Sequence, residues 1–346
     1  MRNEIHRRID RVPRDNGYQD ENFWVWGSTV VKADDGLYHM YVSRWSRELP
    51  FHPGWMTDCE IAHCTAEKVT GPYTFSDVAL GKRGAQYWDG QSTHNPKVVR
   101  HGDTYLLFYM GSTHPFESFF DAERQDTGSK HCIVGRANKR VGVAVADSPY
   151  GPWIRQDEPI LPTRPGTFYS FLTSNPSAVV HADGSVLLMF KARAHEGDTH
   201  GEMTIGIAKA PHYLGPYTVV NEKPLFGPGN VGVIEDPSMW LDNQGYHMLA
   251  KDMSGAISGE KHAGILCHSD NGIDWEVDAS PKAYSKEIVW EDGETGFFGQ
   301  MERVFPYVED DKLTTLFFAV MDGGGGFHKG KRSWNIAIPL TMVDTV

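Results

Sequence analysis

Two interleaved sets of repeats run through this chain, and they restrict its fold more than composition does. One set reads IAHCTAEKVTGPYTFSD (61–77), VGVAVADSPYGPWIRQD (141–157), IGIAKAPHYLGPYTVVN (205–221) and GILCHSDNGIDWEVD (264–278). Each is a short alternating strand, a turn rich in Gly and Pro, an aromatic and a second short strand, which is hairpin grammar. A second set lies upstream of these: WGSTVVKADDGLYHMYVSRWS, HNPKVVRHGDTYLLFYMGS, SNPSAVVHADGSVLLMFKAR, EDPSMWLDNQGYHMLAKDM and, more loosely, ERVFPYVEDDKLTTLFFAVMD. These are hairpins too, turning at Asp35-Gly36, His101-Gly102, Asp183-Gly184 and Gln244-Gly245. Two hairpins per unit make a four-stranded antiparallel sheet. Units opening near Ser28, Pro96, Pro176, Pro237 and Glu302 recur at roughly 60 to 80 residues, a repeat length that points to blades or arrays. The pattern predicts an all-β, five-bladed β-propeller in one domain over 1–346, with blades over 22–80, 90–160, 170–226, 232–285 and 298–343. Residues before Phe23 are expected to supply the outer strand that closes the last blade.

Composition narrows the partner. The chain has 346 residues, 23% of them charged and 40% hydrophobic, and no stretch approaches the roughly 20 apolar residues needed to span a bilayer. A net charge of −12 argues against nucleic acid, whose phosphates demand a basic stripe. A neutral or small partner fits better. The opening MRNEIHRRIDRVPRDNGYQDENF is charged throughout and lacks the apolar core of a secretory signal. The expected location is therefore cytoplasmic, or periplasmic or secreted if a signal has been removed. Cys59, Cys64, Cys132 and Cys267 are expected as free thiols, since a chain this long needs no staples and no zinc spacing is present. Aromatics are 12% of the chain; most will fill sheet cores, while exposed faces commonly serve sugar rings.

In a propeller the first strand of each blade lines the central channel. Aligning the units puts Trp26, His94, Ser174, Glu235 and Glu302 at one level, and Gly27, Asn95, Asn175, Asp236 and Arg303 just after it. Only the last two blades bring carboxylates there. Pro237 is expected to hold the preceding Asp236 extended. Ends of the second strands add Arg44, Lys191, Arg193, Lys251 and Asp252. Acids gathered in a dry channel raise one another's pKa, which points to chemistry, although ion pairs that merely close the channel are the plainer alternative.

HNP, SNP, EDP and ER opening successive blades, with RANKRVGVAVADSPYGPW (136–153), make the chain resemble the family 43-like glycoside hydrolases, a group related to families 32, 62, 68 and 117. The resemblance covers nearly the whole chain. It implies a glycosidase whose carboxylates sit at the propeller mouth, with carbohydrate as the partner and no membrane or nucleic acid involved. It implies no required cofactor, though a structural calcium or other divalent cation in the channel is compatible with it. One departure matters: that family carries its base as an Asp before Pro in the first blade, where this chain has WVWGS. Asp89, in YWDGQSTHNP, is the replacement the sequence favours.

Glycoside hydrolysis needs a protonated acid on the leaving oxygen and a second carboxylate. Glu235, Glu302 and Asp89 are the catalytic candidates, with Glu235 or Glu302 as the acid, and Asp236, if not a turn acid, tuning that acid or holding hydroxyls. His94, Lys191, Arg193, Lys251 and Arg303 are candidates for substrate contact; the basic groups among them suit a carboxylate or sulfate, or else pair with the acids. Trp88, with Trp45 and Trp55, is a candidate stacking surface. Loops 46–60 and 113–138 are long enough to shape a pocket. The reading that follows is an exo-acting hydrolase of plant or algal oligosaccharides. A phosphorylase, a uronate lyase and a non-catalytic sugar-binding propeller are its alternatives, and sugar, stereochemistry and oligomeric state stay open.

Overall fold

The computed structural model describes residues 5–115, 128–229, 231–324 and 326–341. Blade one is Phe23–Lys32, Tyr38–Ser46, Glu60–Ala66 and Thr74–Leu80, and blade two Ser92–His101, Thr104–Ser112, Arg140–Ala146 and Ile154–Arg155. Blade three is Leu172–Val180, Val186–Arg193, Thr204–Ala210 and Thr218–Val219, and blade four Ile234–Asp242, Gly245–Asp252, Gly264–Ser269 and Glu276–Tyr284. The last blade has Gln300–Glu309, Lys312–Met321 and Ser333–Pro339. All pairings within blades are antiparallel, and the first strands of successive blades touch in a closed ring. The five-bladed propeller read from the repeats is the fold.

The N-terminus closes the ring, as expected. Asn335 donates its N–H to the Tyr18 carbonyl at 2.8 Å, Asp10 donates to Pro339 at 3.0 Å, and Thr341 donates to Arg8 at 2.7 Å. The last blade therefore takes its fourth strand from the opposite end of the chain. This covers an edge that would otherwise present unpaired backbone groups.

Alternation explains the packing. In the second strand of blade two, Leu106 and Phe108 enter the core shared with blade three, while Leu107 and Tyr109 enter the one shared with blade one. Equivalent cores fill the other three seams. Both faces of a middle strand are thus dry, which is why these strands read as nearly continuous apolar runs. Buried hydroxyls add cross-links between blades: Thr29 accepts from the Val98 amide at 3.1 Å, and Ser177 from that of Met239 at 2.7 Å. The four cysteines are buried thiols outside any disulfide.

First-to-second strand turns are short and lie at one end. Second-to-third strand connections, such as 47–59 and 253–263, are longer and lie at the other. The bulged starts of the inner strands open at that second mouth.

Candidate active site

Every inner strand is bulged at the same place. Register shifts fall at Trp26/Ser28, His94/Lys97, Glu235/Ser238 and Glu302/Phe305, and opposite Met189/Lys191 in blade three. The residues after the first ring level have left-handed backbones: φ is 54° at Asn95, 48° at Asn175, 56° at Asp236 and 58° at Arg303. Asn and Asp tolerate this region, but for Arg it is a strained choice. Asp236 is therefore not extended, as its place before Pro237 suggested; the bulge overrides that preference and re-aims the side chain. In blade one the equivalent residue is Gly27, where an added Cβ would come within 3.1 Å of Arg303 Nε.

These bulges turn four side chains toward one another. Asn95 Nδ2 donates to Asn175 Oδ1 at 2.8 Å, Asn175 Nδ2 donates to Asp236 Oδ1 at 2.8 Å, and Arg303 Nη1 reaches the same oxygen at 2.6 Å. One level away, Lys191 and Lys251 occupy matching second-strand positions, facing Ser174 and Glu235 across their own blades. Lys191 Nζ lies 2.5 Å from Glu235 Oε1, and Lys251 Nζ lies 2.8 Å from Glu235 Oε2 and 2.7 Å from Glu302 Oε1. Each lysine thus bridges to the acid of the next blade.

The two glutamates sit in different fields. Burial would raise the pKa of Glu235, but the ammonium groups of Lys191 and Lys251 reverse this and hold it well below the usual carboxylate range. Glu302 is only 5% exposed; burial raises its pKa, Lys251 pulls the other way, and Glu235 and Asp236 push it further up. Glu302 therefore has the stronger hold on a proton. Two carboxylates with separated proton affinities are the arrangement acid–base chemistry uses.

Not every predicted residue arrives here. Asp89 is fully buried between blades one and two, where Arg83 Nε binds it at 2.6 Å, Arg155 Nη1 at 3.4 Å and the Tyr109 hydroxyl at 2.6 Å. It serves as an internal counterion with both carboxylate oxygens engaged, in place of the exposed base expected of it. Trp88 lies beside it, stacked on Tyr109 and covering Gly111 and Gly142, with its indole N–H donated to the Gln156 carbonyl. Trp45 is buried among Phe51 and His94. Trp55 is half-buried against His94 at 5.2 Å and the Lys139 ammonium at 3.9 Å from the ring centroid. All three rings thus have packing partners inside the protein. His94 itself is buried, 3.0 Å from Cys59 Sγ, and burial, then Arg303 and Lys139, keeps its pKa well down.

Arg44 pairs with Glu60 at 2.8 Å, away from the mouth acids. Asp252 accepts the backbone N–H groups of Gly255, Ile257 and Ser258 and so shapes the loop after blade four's second strand. In the 113–138 loop, residues 116–127 lie outside the described residues. The rest contains the helix Lys130–Ala137, capped by Ser129, whose hydroxyl accepts from the Cys132 amide.

Sequence reading missed Arg136, Lys139 and His200. They fall in connecting segments outside the repeat, where no alignment places them. His200 lies 3.1 Å from Arg136 and 3.2 Å from Arg193.

The acids also pose the question of a cation. Carboxylate oxygens of Glu235, Asp236 and Glu302 lie within 4.8 Å of one another. Lys251 already occupies the position between two of them and Arg303 binds the third. This trio does not fit a divalent cation unless Lys251 is displaced.

The fold and mouth define a five-bladed propeller with a charged pocket of paired acids and bases. No protein-family model matches the chain, and no curated protein matches it in sequence. Solved structures do match. The family 117 glycoside hydrolase Zg3597 of the marine bacterium Zobellia galactanivorans is 16% identical, with 96% of this chain and 89% of that one covered and a TM-score of 0.66. An endo-arabinase from Bacteroides thetaiotaomicron is 14% identical, covering 95% and 98%, with a TM-score of 0.55. A family 43 enzyme from Xanthomonas citri complexed with xylotriose is 13% identical, covering 93% and 88%, with a TM-score of 0.58. At these identities the likeness establishes the shared propeller architecture. Among the described residues no helix is long and apolar enough to cross a membrane.

Proposed function

We propose that this protein is a glycoside hydrolase in which Glu302 donates the proton to the leaving oxygen. The observation that carries the reading is the Glu235–Lys251–Glu302 bridge, which places two carboxylates of opposed proton affinity at one channel mouth. Glu235, ionised, faces the positive charge that develops on the sugar ring as the glycosidic bond breaks. Asp236 acts indirectly, fixed by Arg303 and Asn175 and adding to the field that strengthens the hold of Glu302 on a proton. The structural neighbours, a family 117 glycoside hydrolase, an endo-arabinase and a family 43 enzyme, support a carbohydrate substrate.

The mode we favour is exo, on oligosaccharides from plant or algal polysaccharide; the longer second-to-third strand connections on the side of Glu235 and Glu302 support it. Incubation with a panel of chromogenic glycosides and such oligosaccharides tests this. Release of single sugars from chain ends is expected. Mid-chain cleavage removes the exo mode, and binding without turnover of any member removes the enzyme.

A further inference from the structure

The mouth is cationic in a chain that is acidic. Arg136, Lys139, Lys191, Arg193, Lys251 and Arg303 share one field with Glu235, Asp236 and Glu302, although the chain's net charge is −12. Lys191, Lys251 and Arg303 have those carboxylates as partners. Among the described residues, Arg136, Lys139 and Arg193 have no carboxylate within ion-pair distance.

His200 organises the two arginines. Its Nδ1 lies 3.0 Å from the Gly201 carbonyl, so that nitrogen carries the hydrogen and donates it. Nε2 is left with the lone pair and accepts from Arg136 Nη1 at 3.1 Å. Arg193 Nη1 donates to the same Gly201 carbonyl at 2.7 Å, which leaves it beside the ring rather than bonded to it. A neutral imidazole has one acceptor nitrogen, so this arrangement requires His200 neutral. Burial lowers its pKa, and Arg193, Arg136 and Lys139 lower it further. An uncharged spacer thus holds two guanidinium groups together, and among the described residues no carboxylate lies within ion-pair distance of either, Glu235 and Glu202 drawing on Arg193 only from further away. Lys139 adds a buried ammonium on the Trp55 face, near enough for Arg136, Lys191 and Arg193 all to depress its pKa after burial has done so. Arg136, Arg193 and His200 are partly exposed, so solvent reaches this side.

Like charges gathered in one place repel unless an anion joins them. Planar guanidinium forks match oxyanions bidentately. We propose that Arg136, Lys139 and Arg193, spaced by His200, form an oxyanion subsite beside Glu235 that binds a carboxylate, sulfate or phosphate group during turnover. The subsite deepens the glycosidase reading and rests on it for the molecule that carries the anion. That anion is either a substituent on the sugar or free phosphate acting as the nucleophile.

The test is titration calorimetry of the full chain with inorganic sulfate and inorganic phosphate, at ionic strength held constant with sodium chloride. Saturable binding is expected, weakened at least tenfold in Arg136→Gln and in Arg193→Gln. Arg136→Lys, which keeps the charge, should retain part of it. Arg100→Gln, which breaks a pair with Asp34 at the opposite mouth, should bind as the wild type does. Circular dichroism checks that each variant is folded. No saturable binding to the wild type, or equal binding by both Gln variants, overturns the subsite.

The source of the anion is read from products. With phosphate present, a sugar 1-phosphate appears if phosphate oxygen forms the new bond to C1 as the glycosidic C1–O bond breaks and the Glu302 proton passes to the leaving oxygen. A preference for uronate- or sulfate-bearing oligosaccharides that disappears in Arg193→Gln places the anion on the sugar. Probe binding without turnover of any glycoside keeps the subsite and removes the hydrolase reading. Turnover of neutral glycosides by a protein that binds neither probe does the reverse.

Discussion

Asp236 and Arg303 stand at equivalent bulge positions in neighbouring blades, both with left-handed backbone, and their side chains meet at 2.6 Å. The pair ties blade four to blade five, and Asn175 and Asn95 extend the tie to blades three and two. Removing the acid leaves Arg303 half-buried and uncompensated. Asp236→Ala should cost about 3–5 kcal/mol. Asp236→Asn, which tolerates the same φ and keeps a hydrogen-bond acceptor, should cost less than half as much, as urea denaturation will show.

The two glutamates should separate by both activity and stability. Glu302→Gln resembles the protonated acid, so its stability should change by under about 1 kcal/mol while its rate falls about 10²- to 10⁴-fold. Activated aryl glycosides need less protonation and should restore much of that loss. Glu235→Gln strips Lys191 and Lys251 of their shared counterion; it should lose about 3 kcal/mol of stability and be impaired on all substrates alike. Equal rescue of both variants by good leaving groups would remove Glu302 as the donor.

A donor must hold its proton, so the rate should fall as pH rises through the elevated pKa of Glu302. Lys251 is the ammonium that pulls this pKa down against burial. Lys251→Met should therefore move the alkaline limb of kcat/KM to higher pH, even as total activity drops. A limb that stays put or moves down assigns it to another group.

Lys97 is buried in the channel wall, its ammonium 3.3 Å from the Met239 carbonyl and 4.5 Å from the Phe305 ring centroid. Burial lowers its pKa to about 7 from 10.5. Between these values the unfolded chain binds more protons than the folded one, so stability should rise with pH across that window. Below pH 7 the full penalty applies. Lys97→Met should stabilise the protein at pH 6 by about 2–4 kcal/mol and remove this part of the slope, measured as Tm from pH 6 to pH 10.

Asp89 offers a contrast with the mouth acids. Its loss leaves Arg83 and Arg155 facing a dry seam, so Asp89→Asn should cost about 3 kcal/mol. The kcat of the protein that remains folded should match the wild type. A fall of a hundredfold in kcat with stability intact would return Asp89 to catalysis.

The sequence alone determined the blades, the closing N-terminal segment and the equivalence of Gly27, Asn95, Asn175, Asp236 and Arg303. Those features are periodic or local: alternation shows which residues share a face, turn dipeptides mark strand ends, and a repeated motif keeps its place in each blade. It also brought Glu235, Glu302, Lys191 and Lys251 toward one mouth. Tertiary structure decided what each group became. Asp89 and Glu302 are both buried acids, yet one is met by a neighbouring arginine and one from the next blade, and the other by two carboxylates and a shared lysine. The helix that carries Arg136 and the segment that carries His200 lie outside the repeat, so only folding brings them within 3.1 Å. Proton affinity depends on burial and on neighbours across space, and neither is a property of a residue's position in the chain.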